Sequence, residues 1–144
     1  MKIVMVCTGN ICRSPMAEAL MRSALQKRGL RDVEICSAGT FAMDGDWASD
    51  EAVSVMREYG LDIAGHRAQS VTRDLVKDAL VLCMTRQHKR VVLNIAPDVN
   101  AHTLLEYAGE AGEVEDPYGR GIFAYRKAAQ EIEEAVGKIA AAMV

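Results

Sequence analysis

Near the start of the chain Cys7 and Arg13 are separated by five residues, in the run Cys7-Thr8-Gly9-Asn10-Ile11-Cys12-Arg13-Ser14-Pro15. A loop this short between a strand and a helix can turn its backbone N–H groups inward at the positive end of the helix. That makes a concave site for a tetrahedral anion. Arg13 adds a planar fork of donors able to hold two phosphoryl oxygens at once. Helix dipole, amides and Arg13 would all favour the thiolate of Cys7, the form that acts as a nucleophile. The chemistry to expect is attack of Cys7 on phosphorus. Gly9 permits a positive φ or close approach of a ligand, and Asn10 tolerates a left-handed turn while bonding the loop internally. Ser14 can donate its hydroxyl to the sulfur. Taken alone, a Cys and an Arg at this spacing would be a strand-end thiol and a surface charge. The apolar run before them and Ser14-Pro15, opening a helix at Pro15, carry the catalytic reading. The glycine spacing of a dinucleotide loop and the Gly-Lys pair of a Walker loop are both missing.

A phosphocysteine route also needs a proton donor for the leaving group and later a base for water. Asp116 is the candidate, in the turn-prone segment Glu115-Asp116-Pro117-Tyr118-Gly119, far enough along the chain to fold back over the site. By spacing alone an Asp-Pro pair is as readily a plain turn.

These residues need a frame. Ile3 to Val6 is a short β-branched run of the kind that fills a strand buried on both faces, and Val33 to Cys36 and Ala79 to Met84 are two more. Between them lie helical spacings, Met16, Leu20 and Ala24 in the first and Ala52, Val55, Met56 and Tyr59 in the second. Val91, Val92 and Ile95 predict a further helix, and the stretch around His102 to Leu105 a fourth strand. From Ile122 onward the stripe Ile132, Val136, Ile139 and Met143 predicts a long helix packed on the sheet. Strands alternating with helices give an α/β fold with a parallel sheet covered on both faces. No repeat or linker divides the chain, so residues 1–144 are expected to form a single domain.

Composition narrows the function classes. The net charge of −3 argues against a nucleic-acid binder, which needs a basic face. Apolar runs are too short to span a bilayer, and Met1 to Val6 lacks the pattern of a signal peptide, so no membrane partner and a cytoplasmic location are expected. Cys7, Cys12, Cys36 and Cys83 read as reduced thiols, because a core of this size needs no disulfides. His66, His88 and His102 stand apart without ligand spacing, which suits surface or structural roles. Asp44, Asp46, Asp50 and Glu51 lack the order of a calcium loop and suit a solvated loop and a helix start. No metal and no cofactor are expected.

The run Cys-Thr-Gly-Asn-Ile-Cys-Arg-Ser-Pro-Met-Ala-Glu together with Glu-Asp-Pro-Tyr-Gly resembles the low-molecular-weight protein tyrosine phosphatase family. The resemblance covers nearly the whole chain, including Ser37-Ala38-Gly39, Met84-Thr85-Arg86-Gln87-His88-Lys89 and Leu104-Leu105-Glu106-Tyr107. It implies a four-stranded parallel sheet flanked by helices, with a phosphate-binding loop between the first strand and first helix. It implies metal-free hydrolysis of phosphorylated protein through a phosphocysteine. On this sequence Cys7 becomes the nucleophile, Arg13 the phosphate clamp and Asp116 the acid. Thr8, Gly9, Ile11 and Cys12 fall in the phosphate loop, and Asn10, Ser14 and Ser37 match residues that support it. Cys12 matches a second cysteine that can trap oxidised Cys7 as a reversible disulfide.

The resemblance gives mixed signals on substrate. Met-Thr-x-Gln-His-Lys and an Asp-Pro-aromatic-Gly loop are shared with a branch resembling bacterial protein arginine phosphatases, but in that branch the position of Ile11 is typically Thr. Ile11 is common in the tyrosine phosphatases, where an apolar side chain suits a flat ring. Tyr118 matches the family's aromatic position two residues after the acid. Many tyrosine-specific members carry an aromatic where this chain has Met43, with Phe41 and Trp47 nearby as possible substrate contacts. The reading is a tyrosine phosphatase, with an arginine phosphatase as alternative. An arsenate reductase would need two further cysteines close together, and only Cys83 lies in that region. A phosphate-binding module would need neither the nucleophile nor the acid.

Overall fold

Ile3, Val4, Met5 and Val6 are fully buried, as a run of this composition requires when both faces of its strand are covered. The computed structural model describes all 144 residues, Met1–Val144. In chain order they form β1 (Lys2–Cys7), α1 (Arg13–Lys27), β2 (Glu34–Gly39), α2 (Asp50–Glu58), α3 (Arg73–Val76), β3 (Leu80–Cys83), α4 (Arg86–Ile95), β4 (Asn100–Thr103), α5 (Leu104–Tyr107) and α6 (Ile122–Ala142). The four strands make one parallel sheet in the order β2-β1-β3-β4. Alternate residues of β1 feed two cores. Ile3, Met5 and Cys7 pack with α1, α2 and α6, while Val4 and Val6 pack with Val76 of α3 and Val92 of α4. No helix is long and apolar enough to cross a membrane.

This strand order fixes where chemistry can occur. From β1 the chain crosses to β2 on one side and then returns to β3 on the other, so the connections diverge at the carboxyl ends of β1 and β3. Such a switch point opens a crevice in parallel sheets. Cys7 is the last residue of β1, at the mouth of that crevice.

Two local expectations need correction. Helix α1 opens at Arg13 rather than Pro15, with Cys12 as its N-cap residue. Pro15 is tolerated in the first turn because N–H groups there have no intrahelical acceptor. The fourth strand is Asn100–Thr103, two residues earlier than the stretch around His102 to Leu105, and Leu104 begins α5. The physical reason is a capping box in which Thr103 and Glu106 exchange side-chain and backbone hydrogen bonds. In the loop after β1, Asn10 takes the left-handed turn it was expected to tolerate, at φ 56°, and Gly9 has no positive φ.

Candidate active site

Cys7, Thr8, Gly9, Ile11, Cys12, Arg13, Asp116 and Tyr118 line one open cleft of about 180 Å³. Two segments more than a hundred residues apart in sequence thus meet over the end of β1. Phe41 and Trp47 are not in its wall. Phe41 is 80% exposed, though its backbone N–H bonds the Thr8 carbonyl at 2.9 Å. The ring of Trp47 is covered by the Arg67 guanidinium, 3.6 Å from its centroid. Ser37 lies behind the loop, on β2.

The nucleophile candidate sits at the end of a hydrogen-bond chain. Ser14 Oγ is 2.9 Å from Cys7 Sγ and accepts from Asn10 Nδ2 at 2.7 Å. Ser14 can point its own proton at the sulfur or at the Ala38 carbonyl, 3.5 Å away. The second Asn10 amide proton goes to Ser37 Oγ at 3.0 Å, and Ser37 donates to Glu18 Oε1 at 2.6 Å. Asn10 Oδ1 accepts from Gln69 N at 2.9 Å, while its carbonyl accepts from His66 Nε2 at 2.7 Å. Every polar atom of the Asn10 side chain is used, which holds a residue with an unfavourable positive φ in place.

Cys12 is treated differently. Its sulfur lies 3.2 Å from the Tyr125 hydroxyl and 3.6 Å from Ser49 Oγ. Burial pushes its pKa up, partly offset by those two hydrogen bonds. Of the two loop thiols, Cys12 is therefore kept protonated.

Arg13 links both halves of the cleft. Its side chain is only 4% exposed. Nη1 donates to the Val114 carbonyl at 2.9 Å, and Nη2 reaches Thr8 Oγ1 at 3.4 Å and Asp116 Oδ2 at 3.9 Å. Nε is buried without any partner. A buried unpaired guanidinium N–H is costly, and a bound oxyanion beside Nε and Nη2 would satisfy it. Asp116 is 56% exposed, and its Oδ1 accepts from Tyr118 N at 3.1 Å, so a local turn aims the aromatic beside the acid.

A family model described as low molecular weight phosphotyrosine protein phosphatase matches residues 2–144. The chain belongs to that family. A protein-arginine-phosphatase of Bacillus subtilis (strain 168) is 40% identical, over 97% of this chain and 95% of its own length. A low molecular weight protein tyrosine phosphatase from T. tengcongensis is 43% identical, with a TM-score of 0.91 over 96% of this chain and 97% of that one. The YwlE arginine phosphatase with a phosphorylated active site serine superimposes with a TM-score of 0.93 at 37% identity, covering 99% of this chain and 95% of that one. The chain is thus a cysteine-dependent phosphatase with the four-stranded parallel sheet its sequence implied.

The phosphatase draws on residues that motif reading left aside. His66 and Gln69 come from a segment without helical or strand periodicity, and only folding brings them to Asn10. Gly39 ends β2, and a Cβ there would collide with the Thr8 carbonyl oxygen and stand 3.1 Å from the Asn10 amide nitrogen. His88 is buried at the start of α4, with Nε2 2.8 Å from Thr8 Oγ1. Glu113 Oε2 accepts from the Arg86 N–H of α4 at 2.5 Å, and Val114 N donates to the Met84 carbonyl at 3.1 Å, so the segment leading to Asp116 is moored to the same helix end. The one signal in the sequence was Thr85-x-x-His88, a helix-start spacing with His where Glu or Gln is usual.

Proposed function

We propose that this phosphatase hydrolyses phosphotyrosine in proteins, with Cys7 as nucleophile, Arg13 as phosphate clamp and Asp116 as acid and then base. The Cys7 thiolate attacks phosphorus while the bond to the phenolic oxygen breaks, and protonated Asp116 gives that oxygen its proton. The transferred phosphoryl group sits among the loop N–H groups and the Arg13 fork, supplying the partner that Arg13 Nε lacks. Water then attacks the phosphocysteine and loses its proton to the Asp116 carboxylate, and inorganic phosphate and the Cys7 thiolate are released. Ser14, held by the bond it accepts from Asn10, donates to the sulfur as it leaves.

The observation that carries the choice of tyrosine is the pair Ile11 and Tyr118, lining the same cleft as Cys7 and Asp116. Apolar and aromatic side chains in the cleft favour a flat ring, whereas a guanidinium leaving group brings several N–H donors that need acceptors. The arginine alternative shares every catalytic residue and draws support from the named function of the B. subtilis relative. The test is kcat/KM for phosphotyrosine and phosphoarginine peptides side by side, with C7S as the blank and I11T as the pocket variant. We expect phosphotyrosine to lead in the wild type by at least about tenfold, and I11T to shift the ratio toward phosphoarginine. A wild-type preference for phosphoarginine would reverse the assignment.

The cytoplasm is the proposed compartment, because all four cysteines are free and a reducing milieu keeps the two loop thiols apart. Recovery of the native protein only from an oxidising compartment on cell fractionation would contradict it.

A further inference from the structure

His88 is a buried imidazole whose ring nitrogens face different parts of the molecule. Nδ1 accepts from the Thr85 backbone N–H at 3.2 Å and lies 3.0 Å from Thr85 Oγ1, closing the N-terminal cap of α4. Accepting an N–H at Nδ1 leaves the ring proton of the neutral imidazole on Nε2. Nε2 therefore donates to Thr8 Oγ1, 2.8 Å away. Burial and the nearby Arg13 charge push the His88 pKa down to about 4, which keeps this neutral form at physiological pH.

The consequence falls on Thr8. Its hydroxyl oxygen has two acceptor positions, one facing His88 Nε2 and the other facing Arg13 Nη2 at 3.4 Å. With both taken by donors, the hydroxyl proton must be offered elsewhere, and Thr8 lines the cleft beside Cys7 and Arg13. We propose that His88 is a positioning residue of this active site, fixing the Thr8 hydroxyl so that it donates its hydrogen bond to the oxyanion bound in the loop. This rests on the phosphatase reading above and adds to it a side-chain donor supplied through α4. The helix cap and the phosphate cradle then share one imidazole.

The experiment compares wild type, T8V, H88L, H88Q and the T8V/H88L and T8V/H88Q pairs. Each is read for competitive inhibition by inorganic phosphate, kcat and KM on one aryl phosphate, and Tm. A hydrogen bond to a charged group is worth about tenfold or somewhat more in binding. T8V and H88L should therefore each weaken phosphate inhibition by about tenfold. The T8V/H88L pair should be no weaker than T8V alone. H88Q, whose amide N–H can replace Nε2, should recover most of the loss where Thr8 is retained and none in the T8V background. H88L will also lower Tm through the lost cap, so the result that overturns the proposal is a lowered Tm with phosphate inhibition unchanged. Losses that multiply in the pairs would overturn it equally. Should H88L not fold, H88Q with T8V and their pair decide the same question. A wild-type protein that neither turns over aryl phosphates nor binds phosphate would instead remove the phosphatase reading itself.

Discussion

Asp116 and Cys7 show how unequally single residues reveal themselves. The segment from Cys7 to Ser14 is contiguous, so the proposed nucleophile, clamp and supporting hydroxyl could be read directly from the sequence, and in the structure Ser14 Oγ lies 2.9 Å from Cys7 Sγ while Arg13 lines the same cleft. Asp116 was legible as a candidate acid that could as readily be a plain Asp-Pro turn, the resemblance then favoured the acid, and the fold brings it to 3.9 Å from Arg13 Nη2. His66 carries no spacing signal, and Thr85-x-x-His88 marks only a helix start; neither histidine was legible as a site residue, because each meets the loop through a partner more than fifty positions away. Phe41 and Trp47 show the converse, since aromatic residues near a motif in sequence need not enter its cleft. If Asp116 is the acid, D116A should depress kcat by about 10²- to 10⁴-fold for poor leaving groups and much less for activated aryl phosphates. A series of aryl phosphates of graded leaving-group pKa measures this. Equal loss across the series would remove Asp116 from the acid role.

At the scale of elements, the phosphate loop is held by its neighbours as much as by its own sequence. After β2 the chain runs alongside it, with Thr40 N bonding the Cys7 carbonyl and Phe41 N the Thr8 carbonyl, both at 2.9 Å. Close backbone contact of this kind leaves no room for a side chain at Gly39. G39A should therefore displace the loop, lowering kcat/KM by at least about tenfold and stability by roughly 1–3 kcal/mol. Steady-state kinetics with a urea unfolding curve checks both, and wild-type kinetics in G39A would refute the close fit. Element boundaries were only partly legible. Periodicity located β1, β3 and the long α6, but the end of β4 is set by the capping box that opens α5, and α1 begins at Arg13 without a side-chain cap; neither boundary is written in the hydrophobic pattern.

For the whole molecule, the alternation of strands and helices was enough to require a parallel sheet. The strand order was not legible from periodicity, because nothing in the segment between β2 and β3 states on which side of β1 the chain returns. That order matters, since it creates the switch point where Cys7 and the Asp116 segment meet. Global stability also bears the mark of the site. His88 has its pKa pushed down to about 4, mainly by burial and then by Arg13, whereas an unfolded histidine titrates near 6.5, a difference on the order of 3 kcal/mol. The unfolded chain thus takes up this proton first as pH falls. Stability is full above about pH 6.5 and is lost as pH drops toward 4. Urea unfolding at pH 7.5 and 4.5 should show wild type losing more than H88Q over this interval. Parallel losses in the two proteins would contradict the depressed pKa.

The account turns on a phosphoryl group passing through Cys7. Rapid acid quench of the enzyme with a phosphotyrosine peptide, followed by mass spectrometry of the Cys7–Arg13 segment, tests this directly. Addition of one phosphoryl group on Cys7 of the wild type during turnover, and no turnover in C7S, is the predicted result. Turnover that survives in C7S, or a phosphoryl group carried on any other residue, would contradict it.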